Sequence, residues 1–195
     1  MPTNKDIVTP VAGIENLTYE DANILLNIQK LWTEIVHWMR SFIHSVLENR
    51  PDQSAIGTRL FLKLPTDLYN EFRKYFSEEE SKQFLDITSR LISANWPLLI
   101  AYKNNDKTAI DLSTAQWYQI ADELAAFLAR VNKYFNENQL KTLLHDYINL
   151  KIKEIIAFVH GDYGMETEIY DEIEDKVIQI ASYMAMGIIA MRRTS

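Results

Sequence analysis

Apolar residues recur at Leu25, Ile28, Trp32, Ile35, Met39, Phe42 and Val46. That alternation of three and four keeps one face of a helix apolar. A second stripe runs through Trp117, Ile120, Leu124, Phe127, Val131 and Tyr134, and a third through Ile169, Ile173, Val177, Ile180, Met184 and Ile188. No stretch alternates with the period of two that a strand needs.

Local signals punctuate these stripes. Thr18 with Asp21, and Ser77 with Glu80, have the spacing of a capping box. They open a helix from 18 to about Glu48, closed by Pro51, and one from 78 to about Lys103, with a kink expected at Pro97. "AIGTRLFLKL" reads as a short helix ending at Pro65, and "PTDLYNEFRKYF" as another. "KNND" is a turn, followed by helices over 108–135 and 137–159, the second capped from "NENQ". "HGDYGM" is a stop before a last helix over 166–192. The sum is an all-α protein, an antiparallel helical bundle of about five long helices plus one or two short ones. Residues 1–17 read as a loosely held arm, and 18–195 as one domain.

Composition narrows the function. With 47% hydrophobic residues and only 5 Gly and 5 Pro, the chain can bury a real core. A net charge of −7 repels phosphate backbones and argues against nucleic acid as a partner. The absence of Cys removes disulfides, thiol catalysis and Cys-ligated zinc. "MPTNKDIVTPVAG" lacks the apolar core of a signal peptide, and the most apolar run, "YMAMGIIAM", is too short to span a bilayer. A cytoplasmic protein is expected.

The chemistry-bearing residues are few. Glu34 and His37 form Glu-x-x-His, half of a carboxylate-bridged di-iron site. However, His37 lies about 160° from the centre of its helix's apolar stripe, and the sequence has no second such motif. Those two residues with Glu154 are the only metal candidates, and the expectation is no metal and no other cofactor. His44, with Glu48 four residues on, reads as a polar flank; His145 and His160 read as isolated.

Tyr147, Lys151 and Glu154 share one helix face beside the stripe Leu144, Ile148, Ile152, Ile155 and Val159. They are either a surface pair with a tyrosine or a partly buried pair lining a pocket. Trp117 and Glu123 from the preceding helix could join that pocket, with Glu123 meeting Glu154 or Lys151. "ETEIYDEIED" reads as a solvated acidic face near a helix start. No Gly-x-Ser-x-Gly elbow is present.

"LWTEIVHWMR", "WYQIADELAAFLARVNKYF" and "IYDEIEDKVIQIASYMAMGII" resemble a family of small bacterial helical proteins of unknown function, more distantly similar to ferritin-like bundles. Some members carry the label acetylglutamate kinase. This chain has neither a Gly-rich phosphate loop nor strand–helix alternation, so that activity is not expected. The resemblance implies His at the positions of Ile35, Leu91 and Tyr147, and Asp at that of Ser182. This chain keeps Glu154 but not the imidazoles.

Three functions stay open. The first is a non-enzymatic bundle binding a partner or small ligand in an aromatic and polar groove, with Trp117, Glu123, Tyr147, Lys151 and Glu154 as its candidates. The second is a degenerate metal-binding or metalloenzyme bundle, and the third a structural homodimer.

Overall fold

A computed structural model describes residues 17–194; the arm lies outside them, Leu17 excepted. The elements are α1 (Tyr19–Leu47), α2 (Gln53–Thr58), a π-helical turn (Arg59–Lys63), α3 (Leu64–Phe72), α4 (Glu78–Ser93), α5 (Asn95–Lys103), α6 (Lys107–Val131), α7 (Glu137–Val159) and α8 (Tyr163–Arg192). Among the described residues there is no strand.

The caps are where the sequence placed them. Thr18 and Asp21 exchange hydrogen bonds, as do Ser77 and Glu80, and Asn136 accepts from the Gln139 amide. The stops share one device. Asn49, Asn105 and Gly161 each take positive φ, at 54°, 54° and 74°. The residue after each donates its amide five residues back: Arg50 to Ser45, Asp106 to Ala101 and Asp162 to Ala157. This closure satisfies carbonyls left over at a helix end, and Asn and Gly tolerate the left-handed backbone best.

The two prolines act differently from expectation. Pro65 ends nothing: α2, the π turn and α3 run on without a loop. Pro65 sits at the second position of α3, just after the π turn, whose wider ring makes room for the missing N–H. The break near Pro97 falls earlier, at Ala94. Pro97 then occupies the first turn of α5, where its lack of a donor costs nothing.

Neighbouring helices are antiparallel, and ion pairs and hydrogen bonds fix their register. Arg192–Glu20 and Arg40–Glu166, both 2.8 Å, tie the two ends of α8 to α1. Lys176–Asp146 at 3.0 Å joins α8 to α7, and His145–Asp122 at 2.8 Å joins α7 to α6. Arg90–Glu123 at 2.6 Å and Arg130–Gln83 at 2.7 Å join α6 to α4. α5 packs on α6 and α7, and α3 closes the circuit between α4 and α1.

The first stripe is buried from Ile28 to Val46, but Ile24 takes the core place expected for Leu25, which is half-buried. Val131 and Tyr134 are also half-buried, because α6 stops at Val131 instead of reaching 135. Asn132 is buried and extended there, and its amide donates to the Gly187 carbonyl at 3.0 Å. Phe135 docks against the bare backbone of Gly187, where a Cβ would lie 2.0 Å from the ring.

Candidate functional site

Two places in the bundle gather polar chemistry: a buried cluster where α1, α7 and α8 meet, and an aromatic cleft beside the π turn.

The cluster begins on α7. Lys151 is 0% exposed and Glu154 1%, and Lys151 Nζ donates to Glu154 Oε2. The pair is therefore not on the surface. α7 packs on α5, α6 and α8, so its buried arc is wider than its apolar stripe and takes in the polar flank. A charge pair out of water must be satisfied on every side to be tolerated. Glu154 Oε1 has no hydrogen-bond partner among the described residues.

One turn earlier, the buried Tyr147 donates its hydroxyl to Met39 Sδ of α1 at 3.5 Å. Burial pushes its phenol well above the usual range, and the Glu154 charge adds to the effect.

Toward α8 the cluster continues into an ion network. Glu166 is 2% exposed and accepts two 2.8 Å hydrogen bonds from the fork of Arg40. His44 Nε2 lies 3.4 Å from the same carboxylate. Burial alone would raise the Glu166 acid, but the Arg40 fork outweighs it and holds the group below the usual carboxylate value. The Arg40 guanidinium also lies over the Tyr170 ring, 4.1 Å from its centroid. Burial, with Glu174 next, pushes the Tyr170 phenol up to about 12.

Of the six acids in "ETEIYDEIED" five (Glu168, Asp171, Glu172, Glu174 and Asp175) are exposed, as a solvated face requires; Glu166 is the exception, turned inward against α1. Sequence reasoning missed this network. Its signal was Arg40 on the flank of α1, with no acid three or four residues away on its own helix to face, and His44 one turn on.

The other candidates scatter. Trp117 is wholly buried, and its indole N–H has no acceptor among the described residues. Glu123 does not reach Lys151 or Glu154; it lies at the surface with two hydrogen bonds from Arg90 of α4. The reason is its place on α6: Ala121, Leu124 and Ala125 take the inner face, leaving Glu123 at the seam with α4. Glu34 pairs with Arg59 of the π turn, while His37 is exposed, its ring at right angles to that of Trp38. Glu34, His37 and Glu154 therefore do not converge. Among the described residues no group of three or more His, Cys, Asp or Glu is arranged to hold a metal ion. His145 is not isolated, since its Nε2 donates to Asp122 Oδ1 at 2.8 Å and Tyr118 packs edge-on at 4.8 Å.

Ile35, Leu91 and Tyr147 all line one apolar cavity of about 10 Å³, together with Trp32, Met39 and Thr88. Ser182 stands apart, accepting from Gln29 Nε2 at 3.0 Å.

The cleft is open to solvent and larger, about 500 Å³. Phe42, Phe61 and Trp96 form its apolar wall, with Gly57 at its base and Arg50, Pro51, Gln53 and Ser54 around it. The rings hold one another: Phe42 lies 4.7 Å from Trp96 and 4.8 Å from Phe61, centroid to centroid. The end of α1, the π turn and the start of α5 thus present a rigid aromatic shelf. Sequence reasoning missed it because its residues come from three separate segments.

Comparison with known proteins gives no match to any family model, curated protein or solved structure. No helix among the described residues is long and apolar enough to cross a membrane.

Proposed function

We propose that this protein is a non-enzymatic ligand-binding bundle whose site is the aromatic cleft of Phe42, Phe61 and Trp96. The observation that carries the proposal is the cleft itself. Its volume of about 500 Å³ is that of a small-molecule site, roughly 300–1,000 Å³. It combines a pre-organised apolar wall with a few polar groups, Arg50, Gln53 and Ser54, able to orient a guest. It lies against a π turn, a distortion that costs helix regularity and is often kept where function needs it. Its lining contains no His, Asp, Glu, Lys or Cys, and the carboxylate beside it, Asp52, is held by Arg50 at 2.5 Å. Binding without chemistry is what such a lining supports.

The test is a screen of small planar compounds against the purified protein, read by Trp fluorescence, with Trp96→Leu and Gly57→Leu as controls. Gly57→Leu fills the base of the cleft. Ligands whose signal disappears in both variants support the proposal. A screen without hits, or hits indifferent to both changes, overturns it.

One observation favours a second reading, that of a degenerate metal-binding bundle in the family the sequence resembles. Ile35, Leu91 and Tyr147, where that resemblance implies His, face a common cavity. In that reading the cavity is a former ligand set replaced by apolar and phenolic side chains, which cannot replace the hydration of a divalent ion. Restoring the three imidazoles (Ile35→His, Leu91→His, Tyr147→His) and measuring bound metal by elemental analysis decides it: no gain of metal refutes the reading.

A further inference from the structure

The aromatic cleft has a charge pattern of its own. The chain as a whole is acidic, with a net charge of −7, yet the lining of the cleft includes Arg50 and no acid. The Arg50 side chain is 45% exposed and gives one bond, from Nη2 to Asp52 Oδ2 at 2.5 Å. A guanidinium has five N–H donors in a fixed fork, so Nη1 and Nε are left for a guest. An ion pair this open to solvent contributes little and yields readily to a second carboxylate. Gln53 and Ser54 bring an amide N–H and a hydroxyl to the same lining.

The rings set the shape of the apolar part. Trp96 is 37% exposed, and the buried Phe42 packs against it, tilted by 35°. Phe61, half-buried, stands at 81° to Trp96 with centroids 6.2 Å apart. The two more open rings therefore form a right-angled corner. A flat ring laid against one of them meets the other edge to face, and both arrangements are favoured between aromatic quadrupoles. A branched aliphatic group would make neither.

We infer that the guest of this cleft is a planar aromatic acid, its ring in the corner of Trp96 and Phe61 and its carboxylate on the Arg50 fork. The inference rests on the cleft being the binding site, as proposed above, and adds the charge and shape of what it takes. The rival charge is positive, since aromatic faces also attract ammonium groups. The lining decides against it. A cation seated there meets Arg50 and finds no carboxylate around it, and Asp52 beside the cleft is already held by Arg50. A carboxylate meets the charge that the lining offers, with Ser54 and Gln53 able to donate beside it.

Three probes of one shape test the charge: naphthoate, naphthamide and naphthylmethylammonium, each titrated into the full chain by calorimetry at low salt. The acid should bind about tenfold tighter than the amide, the worth of one charge-assisted contact, and the ammonium should bind most weakly. Added salt should erode the advantage of the acid and leave the amide as it was. Arg50→Gln, at an exposed position, should bring the acid down to the amide without changing the amide. Trp96→Leu should weaken all three. Acid and amide binding alike, the ammonium binding best, or an acid preference that survives Arg50→Gln overturns the inference; if Trp96→Leu still abolishes binding, the cleft itself stands as the site. Probes that do not bind, or that bind regardless of Trp96→Leu, overturn both.

Discussion

Replacing Lys151 by Met tests the buried pair directly. Met matches the lysine stem in length and packing but carries no charge. Glu154, 1% exposed, is then left as a lone carboxylate in the interior. Breaking a buried pair by removing one partner costs about 3–5 kcal/mol, because the remaining charge has lost its counter-ion. An exposed pair costs only about 0–1 kcal/mol, so the two cases are well separated.

Urea denaturation at neutral pH should show the full loss at an unchanged slope. In a chain of this size the melting temperature should fall by about 2–4 °C for each kcal/mol. The double change Lys151→Met with Glu154→Leu should recover most of the loss, since replacing a whole buried pair by apolar groups is often neutral or better. Acidification gives the sign. The stranded carboxyl takes up a proton more readily in the folded variant than in the unfolded chain, so the deficit shrinks as pH falls. A single variant costing under about 1 kcal/mol, or a double variant no better than the single, would refute a buried, mutually dependent pair.

Three further outcomes are expected. Gly187→Ala puts a Cβ 2.0 Å from the Phe135 ring; thermal unfolding should show a loss of about 1–3 kcal/mol or more, the cost of overpacking, and a loss near zero would mean the 132–135 turn is not seated on α8. Trp117→Ala should cost about 3–5 kcal/mol by cavity formation, whereas Glu123→Ala, which breaks a surface pair with Arg90, should cost under about 1 kcal/mol; chemical denaturation of the two side by side tests that contrast. Glu166 is held below its usual value by Arg40, so its contribution is fully present above the unfolded carboxylate value of about 4.3 and is lost as pH falls through the lower folded value; Glu166→Gln should flatten the acid limb of the stability–pH curve, and an unchanged limb would count against the network.

How far the sequence carries depends on what sets each feature. Helix starts are local: Thr18, Ser77 and Asn136 act through their own side chains on the next turn, and so they were legible. The stripes were legible as well, except where the neighbourhood decided. Tyr134 has the spacing of a core residue, yet the chain leaves the helix at Asn132 to bond Gly187, 55 residues away. No local pattern contains that partner. The same holds for Glu166, whose inward turn depends on Arg40, and for Glu123, claimed by Arg90 before α7 comes within reach.

Lys151 and Glu154 show the limit most clearly. Their spacing put them on one face, and that was correct; whether the face was wet could not follow from α7 alone. A helix in contact with two neighbours keeps a polar flank in solvent, whereas one wedged among three does not. α7 has α5 as its third neighbour, and α5 exists as a separate element because the chain breaks at Ala94 ahead of Pro97. The same break makes Asn95 the first residue of α5 and, at the other side of that turn, sets Trp96 against Phe42. A Pro97→Ala change that let α4 run straight through α5 would carry the Trp96 ring away from Phe42 and out of the cleft. Loss of ligand response in that variant is the expected outcome; an unchanged response would show that the break at Ala94 does not depend on Pro97.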